Sequence, residues 1–238
     1  MFRRFQQNNI LALLPQSHYQ AWAPYLELVS LEVGQVLYEP GTCKTHVYFP
    51  TTAIVSWVYM LANGASTEVA MTGREGMLGM YLIMGGVNYH NRAIVQTAGQ
   101  AVRVPLHMVR NSFTHDKEVQ SIFLHYMQSL ITQMAQTSVC HQHHSLDQQL
   151  CRMLLLTLDR MDGNHIVMTH EIMSALLGVR REGVTLAAKR LMRSEVIHYA
   201  RGRITVLDRT ALENRACECY EVLRKEHEHL LQMPETVA

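Results

Sequence analysis

Residues 169–208 read THEIMSALLGVRREGVTLAAKRLMRSEVIHYARGRITVLD, and the fold of the C-terminal part follows from their spacing. Thr169 stands where a helix N-cap belongs, with His170 and Glu171 in the first turn. Ile172, Leu176 and Leu177 make an apolar face, and Gly178 offers the left-handed backbone of a tight interhelical turn. A second helix follows, with Val184, Ala187, Ala188 and Leu191 inward and Arg181, Glu182, Thr185 and Lys189 on the other face. Two β-rich runs, 196–199 and 204–207, then flank the basic turn Ala200-Arg201-Gly202-Arg203. Helix, glycine turn, basic helix and basic hairpin together make the winged helix-turn-helix pattern.

The charge distribution supports this reading. The 238 residues carry 21 basic and 20 acidic side chains, a net charge of +1 that by itself indicates no partner. Between 178 and 203, however, seven basic residues (Arg180, Arg181, Lys189, Arg190, Arg193, Arg201 and Arg203) face only Glu182 and Glu195. From 213 to 228 the acids outnumber the bases. A second helix in the major groove, with basic groups at its ends and on the wing meeting phosphates, accounts for this layout. An ordinary helical pair with a solvated basic face explains the charges. It does not explain the coincidence of turn glycine, small inward alanines and basic wing.

N-terminal to this segment, 107–161 reads as helix. Val119, Phe123, Tyr126, Leu130, Met134, Thr137 and His141 recur at spacings of three and four. So long and narrow a stripe packs either on the chain's own β-rich half or on a second copy. The second reading places Phe123, Tyr126, Leu130 and Met134 at a homodimer seam. The phase shifts near Leu146, where Leu150, Met153, Leu154 and Leu158 continue in another helix up to the turn Asp162-Gly163-Asn164. Before the helices, short β-rich runs (33–38, 47–49, 54–60, 68–71, 92–97 and 101–104) alternate with turn signals, Asn63-Gly64 being a hairpin signal. The first thirty residues read as short helices. The expected fold is α+β: an antiparallel β-roll, jelly-roll-like, over 1–106, a long dimerisation helix over 107–144, and a winged helix-turn-helix over 145–238.

Composition narrows the alternatives. A chain 48% hydrophobic and 17% charged can bury a core, which argues against disorder. Five Cys, an odd number thinly spread, argue against a disulfide scaffold and for a reducing, cytoplasmic setting. No apolar run approaches the roughly 18 residues of a membrane helix. The apolar stretch at 10–14 is too short for a secretory signal.

Three blocks, LGVRREGVTLAAKRL, IHYARGRITVLDR and LENRACECY, together with GQVLYEPG, HVYFP and EVAMTGREGMLG, resemble the Crp/Fnr-type transcription regulators over nearly the whole chain. The resemblance implies a cyclic-nucleotide-binding-like β-roll, a dimerisation helix and a DNA-binding winged helix-turn-helix. It also implies double-stranded DNA as partner, a palindromic site and, for an activator, RNA polymerase. The family's recognition helix commonly begins Arg-Glu-x-Val, which Arg181 and Glu182 match. Arg181 would bond a guanine edge and Glu182 a cytosine amino group. Thr185 and Lys189 would meet bases or phosphates, and Arg180, Arg201 and Arg203 phosphates. One turn on, Leu186 replaces a further Arg, so the family's familiar operator is not assumed.

The expected effector pocket departs from the family. Nucleotide-binding members carry Gly-Glu-Leu-Gly and then Arg-Ser-Ala. This chain has Gly76-Met77-Leu78-Gly79 and Asn91-Arg92-Ala93. Met77 replaces the ribose carboxylate, and the Arg moves by one position, which in a strand turns it to the other face. Cyclic AMP and cyclic GMP are therefore not the expected effectors, and no cofactor is assigned. The most metal-like stretch is 140–144, where Cys140 and His144 lie one helical turn apart. Cys217-Glu218-Cys219 lacks the usual ligand spacing and reads as structural thiols. With no Cys before Cys43, the N-terminal cluster of the iron-sulfur members is missing. No nucleophile elbow, phosphate-binding loop or HExxH is present, so no enzyme is expected. The competing reading is a metal- or small-ligand-binding sensor acting through protein contacts.

Overall fold

A computed structural model describes residues 5–42, 44–86 and 91–231; Cys43 lies outside them. Chain packing separates two units, one of 5–57, 71–132 and 226–231, the other of 58–70 and 133–225. The division falls inside the long helix, between Thr132 and Gln133.

In the first unit, helix α1 (Asn9–Leu13) is capped by Asn8, whose side chain accepts from the Ile10 and Leu11 amides. The Asn8 amide also donates to the carbonyls of Pro50 and Gly76, each at 2.8 Å. Helix α2 (Gln16–Trp22) buries Trp22, whose indole donates to Ser112 Oγ at 3.0 Å. Two sheets follow. One pairs β1 (Glu27–Leu31), β7 (Gly99–Pro105) and β3 (His46–Pro50), with Glu27 opposite Arg103 and His46 opposite Pro105, both antiparallel. The other has the order β2 (Val36–Tyr38), β6 (Arg92–Thr97), β4 (Ile54–Met60) and β5 (Ser66–Thr72), of which residues 58–70 are assigned to the second unit. The Asn63-Gly64 turn joins β4 to β5, with Gly64 at φ 84° and the Leu61 amide bonded to the Ala65 carbonyl. The expected strands are present, and β1 is an addition that alternation did not reveal. Among the described residues, strands β1 to β7 form two sheets and no closed barrel.

Short helix α3 (Met80–Ile83) precedes β6, and α4 (Leu106–His115) follows β7. The helical stretch then breaks at Asp116, which takes extended backbone. Its carboxylate accepts from the Glu118 and Val119 amides and starts α5 (Lys117–His143). The 27 residues of α5 span about 40 Å.

Two residues of the expected seam face inward. Phe123 and Tyr126 are buried in the chain's own core, clustered with Val47, Phe49, Met77, Val102 and Val104. The Tyr126 hydroxyl donates to the Met77 carbonyl at 2.9 Å. Helical periodicity identifies an inward stripe but not the body it packs against. Leu130 and Met134 are half-buried, and Leu124, Ile131 and Val139 stand 41%, 58% and 47% exposed on another face of α5.

In the second unit, Ser145 and Gln148 form a reciprocal capping box that starts α6 (Leu146–Leu158). Strand β8 (His165–Val167), helices α7 (His170–Leu177) and α8 (Arg181–Arg193), and strands β9 (Ile197–Ala200) and β10 (Arg203–Val206) follow. They are succeeded by α9 (Arg209–Glu213) and α10 (Glu218–Leu231). The sheet order is β8-β10-β9, so the wing is a three-stranded sheet whose first strand the sequence reading missed. Among the described residues, no helix is long and apolar enough to cross a membrane.

Candidate nucleic-acid interface

Helix α7 begins at Thr169, whose hydroxyl accepts from the Ile172 amide, and ends at Gly178 in left-handed conformation (φ 67°, ψ 30°). That turn directs the chain into α8. Val184, Ala187, Ala188 and Leu191 are buried, anchoring α8 from one side. Gly183 is a close-packed position that the sequence reading did not identify. A Cβ there would sit 2.9 Å from Leu146 Cδ2, so the glycine lets α8 approach α6.

The opposite face of α8 carries Arg181, Glu182, Leu186, Lys189, Arg190 and Arg193, all exposed. Leu186 is 55% exposed, an apolar group within a charged surface. Arg190 is already engaged. It bonds both carboxylate oxygens of Asp147, with Nε to Oδ2 at 2.6 Å, and so ties α8 to α6. Among the described residues Arg180, Arg181, Lys189, Arg193, Arg201 and Arg203 have no acidic partner within salt-bridge distance. At the wing tip Arg201 (φ 51°) and Gly202 (φ 76°) both take positive φ, the pattern of a two-residue type I′ turn. Arg201 is therefore held in left-handed backbone at a cost of about 1–2 kcal/mol, with its side chain exposed beside that of Arg203.

Thr185 behaves differently from its neighbours. Its hydroxyl donates to the Arg181 carbonyl at 2.9 Å and lies 3.0 Å from His170 Nδ1. The His170 ring stacks on Tyr199 of β9, centroids 4.3 Å apart and planes 13° from parallel. His170 thus joins α7, α8 and β9, a role the sequence reading did not give it. With the Thr185 proton on the carbonyl, Nδ1 carries the imidazole proton, and Nε2 is buried without a partner. Burial, reinforced by the charges of Arg181 and Lys189, holds His170 below the usual histidine range. The neutral ring is thus favoured on folding. This contribution is present above the unfolded value near 6.5 and is lost as pH falls through the depressed folded value. Thermal unfolding between pH 7 and pH 5 should show a steeper loss of stability for the wild type than for His170→Gln. Equal slopes would remove His170 from this balance.

In the β-rich unit the residues of the expected effector pocket serve the core. Met77 and Leu78 are fully buried, and Leu78 bridges Tyr48 through amide–carbonyl bonds of 2.7 and 3.1 Å. A Cβ on Gly76 would fall 2.4 Å from the Tyr126 ring, and Gly79 sits at φ 109° against Val47. Both glycines are needed for close packing of this loop. In β6, Ala93 is buried, while Arg92 is half-exposed and paired with Glu39, Nε to Oε1 at 2.7 Å. Asn91 is buried, with Oδ1 lacking a partner among the described residues.

The cysteines are grouped in a way that chain order does not suggest. Cys217 and Cys219, read as structural thiols outside any ligand set, are brought against Cys140 and His144. Ligand spacing along the chain does not register a set assembled from two helices. Cys151, buried elsewhere, has its thiol pushed up to about 12 by burial.

Residues 148–215 match the Crp-like helix-turn-helix domain. The global nitrogen regulator of Synechococcus elongatus is 23% identical over 201 residues, covering 80% of this chain and 90% of that protein. Among solved structures, a Crp/Fnr-family transcriptional regulator from Eubacterium rectale superposes with a TM-score of 0.69 at 16% identity, covering 88% of this chain and 98% of that one. FixK2 from Bradyrhizobium japonicum superposes with a TM-score of 0.67 at 15% identity, covering 81% and 98%. The β-rich half, long helix and winged domain thus share the fold of these regulators. Over residues 148–215 the chain is thus similar to the Crp-like helix-turn-helix domain, and its fold is that of solved Crp/Fnr-family regulators.

Proposed function

We propose that the protein is a homodimeric regulator that reads a palindromic DNA site with α8 in the major groove and the wing on the adjoining backbone, without catalytic activity of its own. The observation that carries this reading is the surface of α8 and the β9–β10 turn, where unpaired Arg180, Arg181, Lys189, Arg193, Arg201 and Arg203 share one unit. Arg181 and Glu182, in the first turn of α8, are the base-reading pair, and Arg180, Arg201 and Arg203 meet phosphates. Exposed Leu186 suits a thymine methyl, which would distinguish this operator from those read by an arginine at that position. Thr185, occupied by His170 and Arg181, orients α8 rather than reading a base.

The dimer is supported by α5. From Val119 to His143 the helix contains no Asp, Glu, Lys or Arg, including on its exposed face. Leu124, Ile131 and Ser138 lie seven residues apart, with Met127 and Met134 three residues after the first two, the a/d arrangement of a helical seam. A sensor of other ligands is the second role of the β-rich half. Cyclic AMP and cyclic GMP are disfavoured there because Met77 lies in the core and Arg92 is neutralised by Glu39.

Selection of duplexes from a random pool tests the reading. The expected product is an inverted repeat with half-site centres about one helical turn, 34–36 Å, apart. Recovery of no common sequence, or of a single unrepeated half-site, would overturn it. Added cyclic AMP should leave the selection unchanged, and calorimetry should detect no micromolar binding. A micromolar isotherm would restore the nucleotide reading.

A further inference from the structure

The geometry points to a zinc site formed by Cys140, His144, Cys217 and Cys219, which fastens the end of α5 to the start of α10. All four belong to the second unit. Their donor atoms lie within 4.8 Å of one another. Cys140 Sγ is 3.5 Å from Cys217 Sγ, and Cys219 Sγ is 3.6 Å from His144 Nδ1. Tetrahedral zinc, with bonds of about 2.3 Å to sulfur and 2.0–2.1 Å to nitrogen, places its donors roughly 3.6–3.8 Å apart. Both distances match that edge length to about 0.3 Å. Three thiols arranged only to fill space have no reason to converge on an imidazole nitrogen at this distance.

The surroundings supply what such a centre needs. His144 Nε2 lies 3.3 Å from a carboxylate oxygen of Glu218, the residue between the two C-terminal cysteines. With Nε2–H donated to Glu218, Nδ1 is left unprotonated and aimed at the three sulfurs, the carboxylate–histidine–metal arrangement. The Gln149 side-chain amide donates to the carbonyls of His144 and Cys140, at 2.8 and 3.3 Å, and fixes the bend between α5 and α6. Arg152 is 94% buried; its Nη atoms bond Thr137, and its Nε has no partner among the described residues. This guanidinium acts electrostatically on Cys140 and Cys219. Three thiolates around Zn²⁺ leave one net negative charge, which Arg152 balances.

Zinc binding would release the thiol protons to solvent and form three Zn–S bonds and one Zn–N bond, with no redox change. Four protein donors leave no open position, so the centre is structural. It would join 140–144 to 217–219 across the segment that contains α8 and the wing. Zinc binding at these four residues requires no bound DNA, so the site stands whether or not α8 reads an operator.

The test uses the full chain, purified under reducing conditions without chelator. One zinc per chain is expected by elemental analysis. Cobalt(II) substituted for zinc should show intense visible bands of tetrahedral coordination and thiolate-to-metal charge transfer. Cys219→Ser and His144→Ala should weaken or abolish binding, while Cys151→Ser retains it. Because ligand variants can fail to fold, exposed Glu218→Gln supplies a second reading. It should still bind one zinc at saturation, but release it to a chelator at 10- to 100-fold lower chelator activity. No zinc uptake by the reduced, folded wild type, or a weak octahedral cobalt spectrum, would overturn the site. So would a Cys140–Cys217 disulfide in a protein that takes up no metal after reduction.

Discussion

Arg181→Ala is expected to cost roughly 1–3 kcal/mol per half-site on the preferred operator, or about 2–6 kcal/mol for a dimer. In affinity that is about 30-fold to 10⁴-fold. The same substitution should scarcely change binding to random duplex, because a group that reads base edges makes no equivalent interaction there. Arg203→Ala should behave in the opposite manner. Its side chain stands exposed on the wing next to a turn in left-handed backbone, and in the proposed complex it would meet the phosphates of either duplex alike. Affinity for both should fall together, and the slope of log K against log salt should flatten by about 0.9 for each phosphate no longer neutralised. Salt titrations of both variants on specific and random DNA make the comparison. If Arg181→Ala weakens both duplexes equally, Arg181 binds a phosphate and recognition lies elsewhere on α8.

The winged domain was legible in sequence because its determinants are local. Thr169 caps α7, Gly178 turns the chain, Val184 to Leu191 mark the buried face of α8, and Arg201-Gly202 closes the hairpin, each within a few residues of what it organises. Features that depend on distant partners were not legible. Nothing near Phe123 or Tyr126 in sequence says that their partners are Val47 and Met77 rather than a second copy. Asp116 interrupts the helix without Pro or Gly, through hydrogen bonds that any solvent-facing Asp can make. Strand β8 is only three residues long and is held by pairing with β10. Two of the four cysteine–histidine donors come from more than seventy residues away, so spacing rules could not join them. The loss of the nucleotide motif was visible in Met77 and Arg92. That Arg92 answers Glu39 instead required the fold.

Leu124→Glu combined with Ile131→Glu is expected to give a folded monomer. Both side chains stand exposed on α5, at 41% and 58%, so the substitutions remove little internal packing, and circular dichroism should be nearly unchanged. In a dimer, each pair would place like charges in an apolar seam, with desolvation opposing association. The consequence for DNA follows from linkage. A second half-site bound within one dimer benefits from a high effective concentration, so a monomer should lose about 10²- to 10⁴-fold on a palindrome while its single half-site interactions persist. Phe123→Ala is the contrasting change: it opens the chain's own core and should cost about 3–5 kcal/mol of stability. Near its native temperature it should leave the oligomeric state alone. Sedimentation of the three proteins separates the cases, because only the surface variant should change mass without changing stability. A doubly charged variant that still sediments as a dimer would place the seam off this face of α5, despite its lack of charge.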